Sequence, residues 1–465
     1  MKRAGTVIYA TAVMGLLAMP VCAQKQTPPA GGPPKAFTVP AHETYALANG
    51  MKVTLVPYGN LPKVTVTLVV RAGTANQPKD LPGLAQLAAK LMKEGTASRS
   101  AKQVAEEAAD MGGTLEVSID ADETQISSDV LSEFGPRAAG LIADVAEHPR
   151  FPEAELPRLK NDAQRQVTVD QSIPQNIAEE RFRKILYPNH PYGVVFPTKE
   201  GIDKTTVAGI RKFYGDNFGA ARAHLYVAGR FDVAEMKKAI AEGFGSWAAG
   251  PAPTMDVPEE KPEHVLELTD RPGAAQSTLL LGLPVPGPNS PDTIPLDVTN
   301  ALLGGSFGSR ITSNIREQKG YTYSPYSYIS TRYHDAFWAE AADVTTQFTG
   351  PSLKEIFAEI ARLQNEAPGE GELKGIETYL SGLFVIRNSS RGALIQQLSF
   401  VDAQGLGDDY LKNWVQNVNA VTPDQVQSMT KKYIRPNEMT IVVVGDKAKI
   451  AEQIAPYQPA GKSQK

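Results

Sequence analysis

The chain has 465 residues, 21% of them charged and 42% hydrophobic, with a formal net charge of −4. That length can bury a large core and predicts two or more domains. The mild acidity leaves no footprint for nucleic acid, and a single cysteine, Cys22, excludes a disulfide framework and a thiolate metal site.

The chain opens with MKR, runs through TVIYATAVMGLLAMPV and reaches Val21-Cys22-Ala23 before the polar Gln24. A basic start, a short apolar run and a small residue before a polar one predict a signal peptide over residues 1–23, hence an exported, periplasmic, soluble mature chain. A transmembrane anchor is the first alternative; the shortness of the run and the Pro-rich polar stretch after it weigh against that. A lipoprotein anchor on Cys22 is the second, and the bulky Val21 weighs against it. Cleavage after Ala23 would also remove the only thiol. Residues 24–40, QKQTPPAGGPPKAFTVP, read as a flexible tether.

A first domain is expected over residues 41–247. MKVTLVP and KVTVTLVVRAG are β-branched runs typical of strands. LPGLAQLAAKLMKEGT carries helical apolar spacing, and Ser100 with Gln103 forms the capping box of a second helix. TLEVSID and ETQISSDVLS read as paired strands, followed by mostly helical segments to about residue 217. HLYVAG is a strand ending at Gly229, and VAEMKKAIAEGF an amphipathic helix. Residues 248–263 are Pro-rich and aperiodic, a linker.

The pattern then recurs over residues 264–458, before a tail at 459–465. VLELTD and STLLLGLP are strands, a helix leads to LLGG, and Thr422 with Pro423 starts a late helix. HLYVAGRFDVAEMKKAI and MTIVVVGDKAKIAEQI share one order of strand, glycine, turn and helix, with Gly229 and Gly445 about half a chain apart. This predicts an internal duplication of two α+β domains, too long in period for a solenoid.

PGLAQLAAKLMKEGT, NHPYG at residues 189–193 and GGSFGSRITSNIREQKGYTYS, set on either side of a linker between similar halves, resemble the pitrilysin-type (inverzincin) zinc metallopeptidases. The resemblance is to the processing-peptidase-like group and covers nearly all of the mature chain. It implies two homologous domains, each an antiparallel-rich sheet covered by helices. Active members carry H-x-x-E-H on one helical face. Laid onto this chain, the two histidine positions fall on Gln86 and Lys90 and the glutamate on Ala89. The third ligand maps near Gln166. Zinc needs imidazole and carboxylate donors, and its bound water needs a base. A neutral amide, a methyl group and a cation supply none of these. The resemblance therefore implies a noncatalytic chain with no cofactor of its own. A different zinc site would need other ligands, and no two of His42, His148, His190, His224, His264 and His334 stand at a helical spacing.

The same resemblance assigns Arg316 and Tyr323 to substrate binding and oxyanion stabilisation beside the zinc centre of a partner. A guanidinium and a phenol are fixed donors that can be aimed at a tetrahedral oxygen. Tyr321 is the rival for the tyrosine role. The alternative is a solvated helix-end arginine and ordinary strand packing. Gly304, Gly305, Ser306 and Gly308 form a glycine-rich loop with no Gly-Lys-Ser/Thr after it, which excludes a phosphate loop. Noncatalytic processing-peptidase subunits use a longer loop at a similar place for substrate handling; the other reading is a turn that lets a helix pack closely.

The expected function is a non-zinc-binding subunit of an exported heteromeric zinc metallopeptidase. It would pair with a homologous zinc-bearing subunit and act on unfolded peptides. The alternatives are a purely structural or peptide-binding relative, and an independent peptidase, which would require a metal site that the sequence does not display.

Overall fold

A computed structural model describes residues 37–259 and 262–459. The predicted signal peptide, most of the tether and nearly all of the tail lie outside the described residues. The first half carries strands β1 (Glu43–Ala46), β2 (Lys52–Pro57), β3 (Lys63–Val70), β4 (Leu115–Ile119), β5 (Thr124–Leu131) and β6 (Ala223–Gly229). Its helices are α1 (Leu84–Met92), α2 (Ala101–Asp110), α3 (Gly135–Glu147), α4 (Leu156–Asp170), α5 (Pro174–Leu186), α6 (Lys199–Lys204), α7 (Val207–Asn217) and α8 (Val233–Phe244).

The second half carries β7 (Val265–Asp270), β8 (Gln276–Val285), β9 (Tyr326–Arg332), β10 (Asp335–Thr345) and β11 (Thr440–Gly445). Its helices are α9 (Thr293–Asn300), α10 (Thr349–Asn365), α11 (Glu370–Arg387), α12 (Arg391–Gln404), α13 (Asp408–Val418), α14 (Pro423–Tyr433) and α15 (Lys447–Ile454).

The sheets run β1-β2-β6-β3-β5-β4 and β7-β11-β8-β10-β9. Without the short edge strand β1, the two orders are the same. Each holds one parallel pair, β2 with β6 and β7 with β11, among antiparallel neighbours. The duplication is thus visible as topology. β6 and β11 are the strands that end at Gly229 and Gly445, and both are buried along their whole length. Runs such as AHLYVAG and TIVVVG suit strands covered on both faces.

The second covering layer comes from the opposite half. In β6, Leu225 and Val227 enter the first half's own core, while Tyr226 and Ala228 join Leu394, Ile395 and Leu398 of α12. In β11, Ile441 and Val443 enter the second half's core, while Val442 and Val444 meet Ala178 and Phe182 of α5. Period-two alternation feeds two cores from one strand. Each half donates a helix to close the other's sheet. A buried side chain of this size stabilises by about 1.5–3 kcal/mol, so the exchange holds the halves firmly together.

A polar seam crosses the same interface. Asp402 of α12 accepts from Lys52 at 2.9 Å and meets His224 at 3.2 Å and Arg71 at 3.4 Å. Burial alone would raise its pKa, but the hydrogen bonds from His224 and Lys52 hold it well below the usual carboxylate range.

The last residues of the expected tether are not free. The Phe37 ring lies 5.0 Å from that of Phe384, and Val39 is buried in the interdomain cluster. Phe37 and Val39 find a core that the Pro-rich composition conceals. The expected capping box of Ser100 with Gln103 forms, and Thr422, which caps its helix as expected, adds a box with Gln425. Among the described residues, no helix is long and apolar enough to cross a membrane.

Candidate functional site

Helix α1 begins at Gly83, whose φ of +114° favours glycine. Gln77 Oε1 accepts from the Gly83 and Ala85 N–H groups, each at 3.2 Å, and satisfies the free end of the helix. Leu84, Leu87 and Leu91 anchor it in the core. The positions that the resemblance assigns to zinc chemistry then diverge. Ala89 is buried, Lys90 is exposed, and Gln86 is half-buried with an Oε1 that has no hydrogen-bond partner among the described residues. On α4, Gln166 is exposed and its Nε2 donates to Asp170 Oδ1 at 2.9 Å. Among the described residues, no group of three or more His, Cys, Asp or Glu side chains is placed to hold a metal ion. An amide, a methyl group and a solvated cation do not fit zinc.

The second half presents a different surface. Of two π-helical segments, Ala301–Gly305 and Thr312–Gln318, the first contains Gly304 and Gly305, and Ser306 and Gly308 lie between the two. Such segments often mark functional positions. Gly304 and Gly305 serve close packing: a Cβ on Gly304 would lie 2.5 Å from Glu340 Oε2 and 2.6 Å from Ser327 Oγ. One on Gly305 would lie 2.5 Å from Asn300 Nδ2. Ser306 is buried, whereas a methyl group added at Gly308 would meet nothing within 4 Å. Between them Phe307 stands out, 68% exposed.

Arg316 lies on the second π-helical segment. Its guanidinium carbon sits 4.3 Å from the centre of the Phe307 ring and 4.8 Å from that of Tyr323, with Glu317 at 3.1 Å. Two aromatic faces hold the cation without using its N–H donors. Tyr323 is 79% exposed. The chain reverses at Gly320, with φ +66°, and Thr322 Oγ1 donates to the Asp343 carbonyl at 2.7 Å, which fixes the backbone beside Tyr323. Tyr321, by contrast, is half-buried and stacks on Phe348 at 4.4 Å. Behind the clamp, Asn314 Nδ2 donates to Glu355 and Glu359, and Arg310 forks onto both oxygens of Glu372.

Beneath Gly304 lies Glu340 of β10, wholly buried, with neither carboxyl oxygen hydrogen-bonded among the described residues. Burial pushes its pKa well up, which favours the neutral acid over the carboxylate. The structure therefore brings together Arg316, Tyr323 and the exposed part of the loop. It also adds Phe307, which the motif reading overlooked. An aromatic set between serine and glycine, off any apolar period, was the available signal.

A duplicated sheet-and-helix fold, metal positions without donors and an arginine held between aromatics define a metallopeptidase-type chain that lacks its metal centre. Comparisons with known proteins agree. Residues 53–195 match the family model described as Insulinase (Peptidase family M16), and residues 204–380 match the Peptidase M16 inactive domain. The chain belongs to peptidase family M16. It is 25% identical over 391 residues to the uncharacterized zinc protease YmxG of Bacillus subtilis, covering 83% of this chain and 94% of that one. It is 23% identical over 416 residues to the non-peptidase homolog YmxG of Helicobacter pylori, covering 87% and 95%. Among solved structures, a peptidase M16 inactive domain from Pseudomonas fluorescens superposes with a TM-score of 0.81 at 24% identity, over 87% of this chain and 98% of that one. A protease from Helicobacter pylori gives 0.81 at 20% identity, over 88% and 100%. The likeness to these two structures is one of fold.

Proposed function

We propose that the chain is the non-zinc-binding subunit of an exported, heteromeric zinc metallopeptidase. In this reading it acts with a homologous subunit that carries an intact H-x-x-E-H and cleaves unfolded peptides. The observation that carries the reading is the Arg316 guanidinium held between Phe307 and Tyr323 on an exposed surface, in a chain whose own metal positions have no donors. The naming of one relative as a non-peptidase homolog supports the lack of independent activity. Export rests on the sequence of residues 1–23.

In such a complex a zinc ion held by the partner would supply the activated water. This chain's part is to bind and orient. Arg316 offers N–H donors to a substrate carbonyl, and the Tyr323 hydroxyl, which makes no hydrogen bond among the described residues, donates to oxygen as charge develops there. Gly304 and Gly305 set the height of the loop, and Phe307 steadies the cation.

The test is turnover of a quenched peptide by the chain mixed with a family member that has the intact motif, with complex formation followed by size exclusion. Mixing should raise activity greatly. Tyr323→Phe keeps the ring and removes one donor, so turnover should fall on the order of a hundredfold with assembly unchanged. Tyr321→Phe, whose ring is stacked on Phe348, should leave turnover as it was. No stimulation on mixing, or full activity in Tyr323→Phe, would sink the proposal.

A further inference from the structure

A cavity of about 290 Å³ lies between the halves, lined by Gln86, Asp120, Asp122, Arg183, Tyr192 and Arg332 among others. Its volume is near the lower end of small-ligand pockets, about 300 Å³. Two arginines face it without adequate partners. Arg183 of α5 is 7% exposed, makes no side-chain hydrogen bond among the described residues, and has its nearest paired carboxylate, Glu179, at 3.8 Å. Arg332, at the end of β9, uses Nη1 on the Thr331 carbonyl at 2.9 Å, while its Nε is buried and unpartnered. Burial, and then the neighbouring Arg332 charge, push the Arg183 pKa down. A buried guanidinium without acceptors is strongly unfavourable, so such a pair asks for an anion.

The nearby carboxylates are already engaged. Asp120 Oδ1 accepts from the Asp122 and Glu123 N–H groups at 2.8 Å. Asp122 accepts from the Tyr192 hydroxyl at 2.5 Å and from the Tyr333 N–H at 3.1 Å. Asp335 accepts from the Tyr187 hydroxyl at 2.6 Å. They lower the net charge of the cavity without reaching the Arg332 guanidinium within ion-pair distance, which selects against a multiply charged anion. The same wall carries the opposite deficit: Gln86 Oε1 is a buried acceptor with no donor.

We infer that this cavity binds an α-carboxylate bearing an adjacent N–H, with the carboxylate on Arg183 and Arg332 and the N–H on Gln86. Such a group is found at the C-terminus of a peptide and in a free or N-acylated amino acid. A phosphate would satisfy the arginines but bring no N–H to Gln86, and the paired guanidiniums repel a metal ion. Planar guanidinium matches planar carboxylate, in one or two parallel hydrogen bonds. That a peptide end is one source rests on the peptidase-subunit reading above; the carboxylate recognition does not.

The test uses the full chain alone, without a partner subunit. Binding is measured by fluorescence anisotropy for an N-terminally labelled pentapeptide with a free C-terminus and for its C-terminal amide. An N-acetyl amino acid and inorganic phosphate serve as competitors. The free acid should bind about 10- to 100-fold more tightly than the amide. Arg332→Gln should abolish that preference while circular dichroism stays unchanged. It is the variant of choice because Arg183→Gln, in a buried helix face, could unfold the chain. Competition by the N-acetyl amino acid as strong as by the peptide supports an amino-acid source; competition by the peptide alone supports a chain end. Equal binding of acid and amide, phosphate competing as well as the acid, or a preference that survives Arg332→Gln would overturn the inference. Because this readout needs no catalytic subunit, its failure and a failure of stimulation by mixing are separate results.

Discussion

The two halves share a strand order but differ in how they hold their family-specific residues. In the first half, α1 is packed by Leu84, Leu87 and Leu91, while Gln86, Ala89 and Lys90 contribute nothing to a common site. In the second half, Arg316, Phe307 and Tyr323 stand proud of the core on a backbone that departs from regular helix. A helix can lose its metal ligands and keep its fold, because the packing residues occupy a different face. An exposed clamp has no such protection. It persists only while the loop, the π-helical segments and the buried acid beneath them remain matched.

The largest expected stability effect probes that match. Gly304→Ala would drive a methyl group to 2.5 Å from Glu340 and 2.6 Å from Ser327, both held by sheet packing. Overpacking of this kind costs about 1–3 kcal/mol, and the upper end is expected here because Ser327 Cβ, fixed to its strand, also stands 2.9 Å away. Gly308→Ala meets nothing within 4 Å and should stay within about 0.5 kcal/mol of the parent. Urea unfolding of both variants decides the point. Equal effects would mean that the loop is not seated on β10, and the contrast between the halves would weaken.

Glu340 gives a pH-dependent version of the same test. Its folded pKa is raised above the unfolded value by burial, so the folded state binds the extra proton. The stability this confers is full below about pH 4.3, the unfolded value, and is lost as pH rises toward the folded pKa. The slope attributable to this one group is at most about 1.4 kcal/mol per pH unit. Glu340→Gln removes the titration, so the stability difference, parent minus variant, should become more negative from pH 5 to 7. Glu147, raised to about 7 by burial and by Asp144, titrates in both proteins and cancels in that difference. A flat difference would show that Glu340 has a charge partner after all.

Much of this was legible in the sequence, and the remainder was not, for physical reasons. Strands such as HLYVAG and MTIVVVG announce themselves by apolar runs that end in glycine, and repetition of that order is enough to infer duplication. Arg316 and Tyr323 stand out through their spacing in a motif. Which tyrosine is presented was not readable, because stacking of Tyr321 on Phe348 depends on a strand pairing distant in sequence. Arg183 and Arg332 reach one cavity only because α5 lies across the other half's sheet. In FWAEAADV, Glu340 looks like the solvent-facing member of an alternating strand, yet the Ala301–Gly305 segment covers it.

Phe307 allows the smallest and most specific test. It is largely exposed, so Phe307→Leu removes little core packing and should barely change stability. What it does remove is one of the two aromatic faces around Arg316, an interaction of about 0.5–1 kcal/mol at an exposed site. If that face serves to hold the guanidinium in a productive position, turnover by the mixed complex should fall about twofold to fivefold. Phe307→Tyr keeps a ring at the same position and should restore the parent rate. The hydroxyl effect at Tyr323 and the ring effect at Phe307 are then separable: one removes a donor and keeps the clamp, the other opens the clamp and keeps every donor. A Leu variant as active as the Tyr variant would mean that Tyr323 alone positions Arg316, and that the loop contributes only its packing glycines.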